Sequence, residues 1–345
     1  IIEKIIVCLI PFAAIFSIFI LDFSLLILSI SFIVRCFKEK NYSFLLNKFT
    51  FFFSIFYLYI FIRYIFRDAD YNTFNSVFFY FRYGLYVISI YFFLSKIRNL
   101  EKMFLNSVLC AVTITVIDSI IQYLFGQNIL GYQIIDNNRL SSFFGDESIL
   151  GSFLLKFLPF IYLIATQSLK NKSKLIFTML LIAISDVIIF LSGERASFIM
   201  MVFLTIYFIF MFKKLRFLRT ILITFTSIII IYIFLNSENV SQRYLKTLDE
   251  FTKSDNYTNN QILDKKLINT KFYIISPTHH NYFLTSINMF KDNKIFGQGP
   301  RSFRYLCDKD KYKINIYSCS THPHNYYIQI LAELGLIGFI FLLVF

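Results

Sequence analysis

The chain reads as an all-α polytopic membrane protein, on three observations. Apolar runs of spanning length recur along it, basic residues collect in alternate linkers, and hydrophobic residues make up 57% of the chain against 16% charged. Its mean hydropathy is +0.63. A net charge of +13 could suggest nucleic acid or anionic lipid, but the basic residues are scattered over short linkers and not massed on one polar face, so their placement reports orientation; no nucleic acid is expected, and membrane lipids are partners only as the surroundings of the spans.

A hydrocarbon core of about 30 Å takes roughly 17 to 25 helical residues to cross. Runs of that kind are placed at about 5–20, 22–36, 49–66, 75–94, 103–124, 147–168, 175–191, 196–212, 217–235 and 326–345, giving about ten spans. The first two are joined by little more than Leu21 and Asp22, which fits a tight helical hairpin or one long element. The chain begins at Ile1 and stops at Phe345 inside an apolar run, and reads as a fragment lacking further C-terminal helices.

Cytoplasmic loops hold the excess of Lys and Arg. Here Lys38, Lys40 and Lys48 share one linker, Lys96, Arg98 and Lys102 the next but one, then Lys170, Lys172 and Lys174, then Lys213, Lys214, Arg216 and Arg219. Intervening linkers carry the single residues Arg67, Arg139 and Arg195 beside acids. This alternation puts the N-terminus in the cytoplasm and the polar stretch 236–325 outside, in the periplasm of a two-membrane cell. The expected organisation is a helical bundle over 1–235, an external loop domain over 236–325 and a final span over 326–345.

With that orientation, Arg63, Arg82, Asp118, Asp186, Asp146, Glu147, Glu194 and Arg195 all fall toward the outer ends of their helices. A charge at membrane depth costs at least a few kcal/mol unless it is paired or faces water. Two readings follow. Such residues hold the fold as ion pairs, Arg82 with Asp118 for example, or they line a polar cavity that opens outward beneath the loop.

Within the loop, Val240, Tyr244, Leu245, Leu248 and Phe251 repeat at helical spacing after Ser237. They define an amphipathic helix that lies on the membrane surface or packs on its neighbours. Residues 252–262 are polar and expected to be irregular. A second helix is expected from about Tyr282 to Lys291, stopped by the turn at Gly297, Gly299 and Pro300.

All four histidines fall in this loop: His279, His280, His322 and His324. The run GQGPRSFR puts Arg301 and Arg304 just after a turn that can bend sharply and approach a ligand closely. A guanidinium offers a planar donor fork suited to a diphosphate, while the plainer reading is a solvated basic turn. The run THPHN ends the loop against Tyr326. His324 there is a candidate base for a hydroxyl near neutral pH, and Asn325 would orient it or donate to substrate oxygens. Zinc on His322 and His324 with His279 or His280 has no acidic or thiol set at matching spacing, so no metal is expected. Asp308, Lys309 and Asp310 form a D-x-D triplet best read as a solvated turn. Neither a phosphate-binding G-x-x-x-x-G-K-[ST] loop nor a G-x-S-x-G elbow occurs. Cys307 and Cys319, both in the external loop, would pair in an oxidising compartment.

The run from Met289 to Gly338, MFKDNKIFGQGPRSFR through THPHNYYIQILAELGLIG, resembles the C-terminal signature of the O-antigen ligase and O-antigen polymerase superfamily. DSIIQYLFGQNILGY (Asp118–Tyr132), RLSSFFGDESILGSF (Arg139–Phe153) and LSGERASF (Leu191–Phe198) resemble its upstream blocks. The resemblance implies a glycosyltransferase C-like helical enzyme of the bacterial inner membrane, with its site facing the periplasm. It would take a glycan from an undecaprenyl diphosphate carrier to a hydroxyl of lipid A-core or of a growing glycan, without cofactor or metal and with inversion. It maps the family's histidine onto His324 as base and its membrane-end arginine onto Arg195. The loop arginine falls on Arg301 or Arg304, with Arg139 and Asn325 counted as substrate-binding. Arg82, Asp118, Asp146, Glu147 and Glu194 would be supporting residues. The other class considered is a transporter of lipid-linked glycan or of a small anion. A transporter site belongs near the membrane midplane, whereas these charges gather outward, which favours an enzyme.

Overall fold

A computed structural model describes residues 1–67, 72–134, 139–252 and 277–344, without the side chains of 246–252, 277 and 278. Its helices are α1 (Ile2–Phe16), α2 (Ile18–Glu39), α3 (Lys48–Ile65), α4 (Phe74–Phe78), α5 (Phe81–Lys96), α6 (Leu100–Phe125), α7 (Leu150–Gln167), α8 (Lys172–Leu191), α9 (Arg195–Met211), α10 (Arg216–Asn236), α11 (Glu238–Thr252), α12 (Pro277–Asp292), α13 (Phe303–Leu306) and α14 (Tyr326–Val344). No strand forms among the described residues.

Among the described residues, eight segments are long and apolar enough to cross a membrane: α2, α3, α4 with α5, α6, α7, α8, α10 and α14. The protein is an all-α, multi-pass membrane protein. Two of the ten expected runs fall short. Helix α1 has 15 residues, contains Pro11, and stops at Ser17, an extended residue (φ −166°, ψ 119°); at 1.5 Å per residue it rises about 22 Å. The expected junction at Leu21 and Asp22 is thus a one-residue break four positions earlier. Helix α9 has 17 residues, a rise of about 25 Å.

The chain forms two compact units, residues 1–28 with 93–245 and residues 29–92 with 246–345. In the first, α6, α7 and α8 bury Val108, Val112, Leu154, Leu158, Ile182 and Ile189 in one apolar cluster. Helix α8 starts at Asn171, whose side chain accepts from the Lys174 amide at 3.0 Å, and α6 ends at Gly126 in the left-handed region. Of the two readings of its charge, Asp186 takes the ion pair: its carboxylate pairs at 2.7 Å with Arg219, both side chains being 0% exposed. Arg219 also donates to Thr205 Oγ1 at 2.7 Å, so it belongs to α10 and not to a basic linker. Asp118 is held by neutral donors and not by an arginine. It accepts from Asn128 Nδ2 (3.1 Å), the Ile129 amide (2.9 Å) and Ser142 Oγ (2.6 Å), which ties the 126–142 segment to α6.

Helix α11 packs and does not merely float. Val240 is buried, and Tyr244 stacks on Phe190 at 4.8 Å while donating to its carbonyl at 2.9 Å. The side chains of Leu248 and Phe251, and the stretch expected to be irregular beyond Thr252, lie outside the described residues.

The second unit is built on a break in α14. Gly335 has φ 65° and ψ −163° inside that helix. The carbonyls freed by the break accept from the loop: Ala332 O from the Gln298 amide at 3.0 Å and Glu333 O from the Gly299 amide at 2.8 Å. The freed amides of Leu336 and Ile337 donate to Lys294 O and Ile295 O at 2.9 and 3.3 Å. Tyr59 donates to Leu334 O at 2.6 Å. Irregular backbone at membrane depth is tolerated when its polar groups are met inside the protein, as they are here. Arg63, read as holding the fold or lining a cavity, donates to Phe296 O (3.1 Å) and Gly297 O (2.8 Å), fixing the same loop.

Candidate functional site

The first unit gathers arginines around one glycine. Gly193 has φ +71°, and a Cβ added there would lie 2.6 Å from Arg243 Nη1 and 3.1 Å from Arg139 Nε. Arg195, at the start of α9, donates to the Arg243 carbonyl at 3.2 Å, and Arg243 reaches Leu191 O at 3.4 Å. The glycine leaves the space that the guanidiniums occupy. Burial, then the neighbouring charge of Arg139, lowers the Arg243 pKa, Tyr244 acts in the opposite sense, and Arg195 lowers it further. Gathering cations this way is unfavourable unless an anion joins them.

Glu194 does not supply that anion. Its carboxylate accepts from the Gly151 amide at 2.6 Å and the Ser152 amide at 3.0 Å, and from Ser197 Oγ at 3.0 Å. It thereby caps α7, whose own N-cap Ile149 offers no side-chain acceptor. Neither Arg139 nor Arg195 has a carboxylate partner among the described residues, and Arg195 Nε is buried without a hydrogen bond there. Asp146 and Glu147 are exposed. Sequence reasoning does not single out Arg243. The signal is nonetheless present, since this arginine lies three residues after Val240 on the apolar face of α11 and is only 5% exposed.

In the second unit Gly297 of the loop packs against α14. A Cβ on Gly297 would sit 2.4 Å from the Glu333 carbonyl carbon, and one on Gly335 2.3 Å from Ile295 O. Arg301 is left-handed (φ 58°), half-buried, and bonded through Nη1 to Ser76 Oγ. Arg304 is exposed on α13. Arg82 donates to the Tyr83 hydroxyl at 2.9 Å and lies over that ring. Cys307 and Cys319 form a disulfide, with Cα atoms 5.0 Å apart. Asp308 of the D-x-D triplet pairs with Lys313 at 2.5 Å, as a surface turn would. Asp292 accepts from Tyr312 at 2.7 Å and pairs with Lys311 at 2.6 Å, docking the disulfide-closed loop on α12. Bonding from Lys311 and then Tyr312 holds the Asp292 carboxyl below the ordinary range.

His324 is exposed, left-handed (φ 55°) and stacked on Tyr282 with ring centroids 5.6 Å apart. The rings of His322 and His279 lie 4.2 and 5.1 Å from it, and Ser320 Oγ is 3.4 Å from its Nε2. Burial, then the charges of His322 and His279, pushes the His324 pKa below its ordinary value. Its imidazole is therefore neutral, able to accept a proton, at pH 7. Asn325 does not orient it. The Asn325 side-chain oxygen accepts from the Ile328 amide at 3.1 Å and so caps α14. Among the described residues, no three or more His, Cys, Asp or Glu side chains are grouped to hold a metal ion.

No curated protein matches the chain. Residues 177–343, from α8 through the arginine-bearing turns and the histidine cluster to α14, match the family model described as O-antigen ligase. Over that stretch the chain is similar to the O-antigen ligase and polymerase superfamily, a family of membrane glycosyltransferases.

Proposed function

We propose that the protein transfers a glycan from an undecaprenyl diphosphate carrier to an acceptor hydroxyl. The observation that carries this reading is the gathering of Arg139, Arg195 and Arg243 at Gly193, with the adjacent acid, Glu194, committed to the α7 amides. Such a cluster binds a diphosphate and neutralises the charge that grows on it as it leaves. His324 takes the proton of the acceptor hydroxyl. The hydroxyl oxygen attacks the anomeric carbon from the face opposite the diphosphate, the bond from that carbon to the diphosphate oxygen breaks with its electron pair, and the configuration inverts. The acceptor is a lipid A-core or a growing glycan. Residues 236–325 face the periplasm of a bacterial inner membrane, with the N-terminus in the cytoplasm, in keeping with the basic linkers.

The test uses purified protein in lipid, a glycan on undecaprenyl diphosphate, and an acceptor, with chelator present. One released carrier diphosphate per glycosidic bond supports the reading. Absence of transfer with every acceptor, or its abolition by chelator alone, overturns it.

A further inference from the structure

Glu333 holds both ends of the turn that carries Arg301. Its carbonyl accepts from the Gly299 amide at 2.8 Å. Its carboxylate accepts from the Arg301 amide at 3.0 Å and the Phe303 amide at 3.2 Å, and from Gln329 Nε2 at 3.3 Å. The side chain is 7% exposed, and Ser302 between the two amides is fully buried. Convergent backbone amides in a turn with a left-handed residue form a concavity that takes an anion. In this turn the acceptor is internal, the Glu333 carboxyl group. Arg301 has φ 58°, a left-handed conformation that non-glycine residues rarely adopt, and the Glu333 carboxyl bonds the amide of that residue.

We propose that Glu333 is a positioning residue. It is the internal acceptor around which the Gly297–Arg304 turn folds, and it fixes the direction in which Arg301 presents its guanidinium to the lipid-linked donor. This rests on the reading of the protein as a transferase whose donor meets Arg301. Glutamine is the informative replacement, because it keeps the shape but turns one acceptor oxygen into a donor that faces a backbone N–H.

Hydrogen exchange in lipid nanodiscs and steady-state transfer kinetics together test the proposal. Glu333→Gln should raise amide exchange in the segment 299–306 about tenfold or more while leaving α7 and α8 unchanged. It should raise KM for the donor with little change in kcat, and Glu333→Gln with Arg301→Ala should be no worse than Arg301→Ala alone, since both act through one contact. Glu333→Asp, which keeps the carboxyl group one methylene short, carries the same comparison if the glutamine variant does not insert. Unchanged exchange in 299–306, exchange raised across the whole chain, or full additivity with Arg301→Ala overturns the proposal. Wild-type kinetics of Arg301→Ala, with exchange still raised by Glu333→Gln, overturns the donor contact of Arg301 and leaves the hold of Glu333 on the turn standing.

Discussion

Gly297 and Gly335 pack backbone to backbone, each occupying space that a side chain on the other's segment would fill. A Cβ on Gly335 would meet Ile295 O at 2.3 Å and Gly297 N at 2.6 Å, and both glycines have positive φ. Backbone atoms cannot swing aside as a side-chain end can. Gly335→Ala should therefore shift the loop off α14 and lower thermal stability in detergent sharply, whereas Gly131→Ala, which meets nothing within 4 Å, should cost only the strain of its φ, roughly 1–2 kcal/mol. Equal melting temperatures for the two variants would contradict this account of the break.

Asp186 and Arg219 form an ion pair with both side chains fully buried. Removing one partner strands the other, at a cost of about 3–5 kcal/mol, while replacing both by apolar residues of similar volume is often neutral. Arg219→Met should thus be poorly stable, and Arg219→Met with Asp186→Leu should recover much of the loss, as read by thermal unfolding of the purified protein.

The Cys307–Cys319 disulfide closes a ring that ends one residue before Ser320, the neighbour of His324 Nε2. In the chain-entropy model so short a ring contributes on the order of 3 kcal/mol. Mass spectrometry without reduction should find the two cysteines linked. Replacing both by serine should lower stability and slow transfer, and recovery of both as free thiols from native membranes would remove the idea.

The pH profile follows from the depressed His324 pKa. A general base works unprotonated, so the rate should hold steady as pH falls through the ordinary histidine range and drop only below it. His322→Ala removes one of the positive charges that depress His324 and should move that acidic limb to higher pH. His322 thus acts on the base while transferring no proton itself. An unmoved limb in His322→Ala would show that another group sets it.

Much of this architecture is legible in the amino-acid sequence. Apolar runs find nearly every helix, since a span must be long and apolar whatever it packs against, and the Gly297–Pro300 turn and the loop cysteine pair stand out by residue type. The partner of each charge is not legible in the same way. Asp186 finds Arg219 across 33 positions and Glu194 caps a helix that starts 44 residues earlier, so their commitment depends on tertiary packing alone. Arg243 is hidden for a related reason: a single arginine on the apolar face of α11 looks like a blemish in the helical pattern until Gly193 is seen opening space for it. Asn325 stands just before an apolar run, which is the position of a helix cap, and its side-chain oxygen takes that role.

The most direct test is transfer by His324→Ala, compared with Arg195→Lys and Arg195→Ala in the same lipid environment. With His324 as the base, His324→Ala should insert and bind the lipid diphosphate normally but transfer glycan about 10²- to 10⁴-fold more slowly. Arg195→Lys should be nearly as harmful as Arg195→Ala, since an ammonium keeps the charge and loses the planar fork. Transfer by His324→Ala at the wild-type rate would contradict the account.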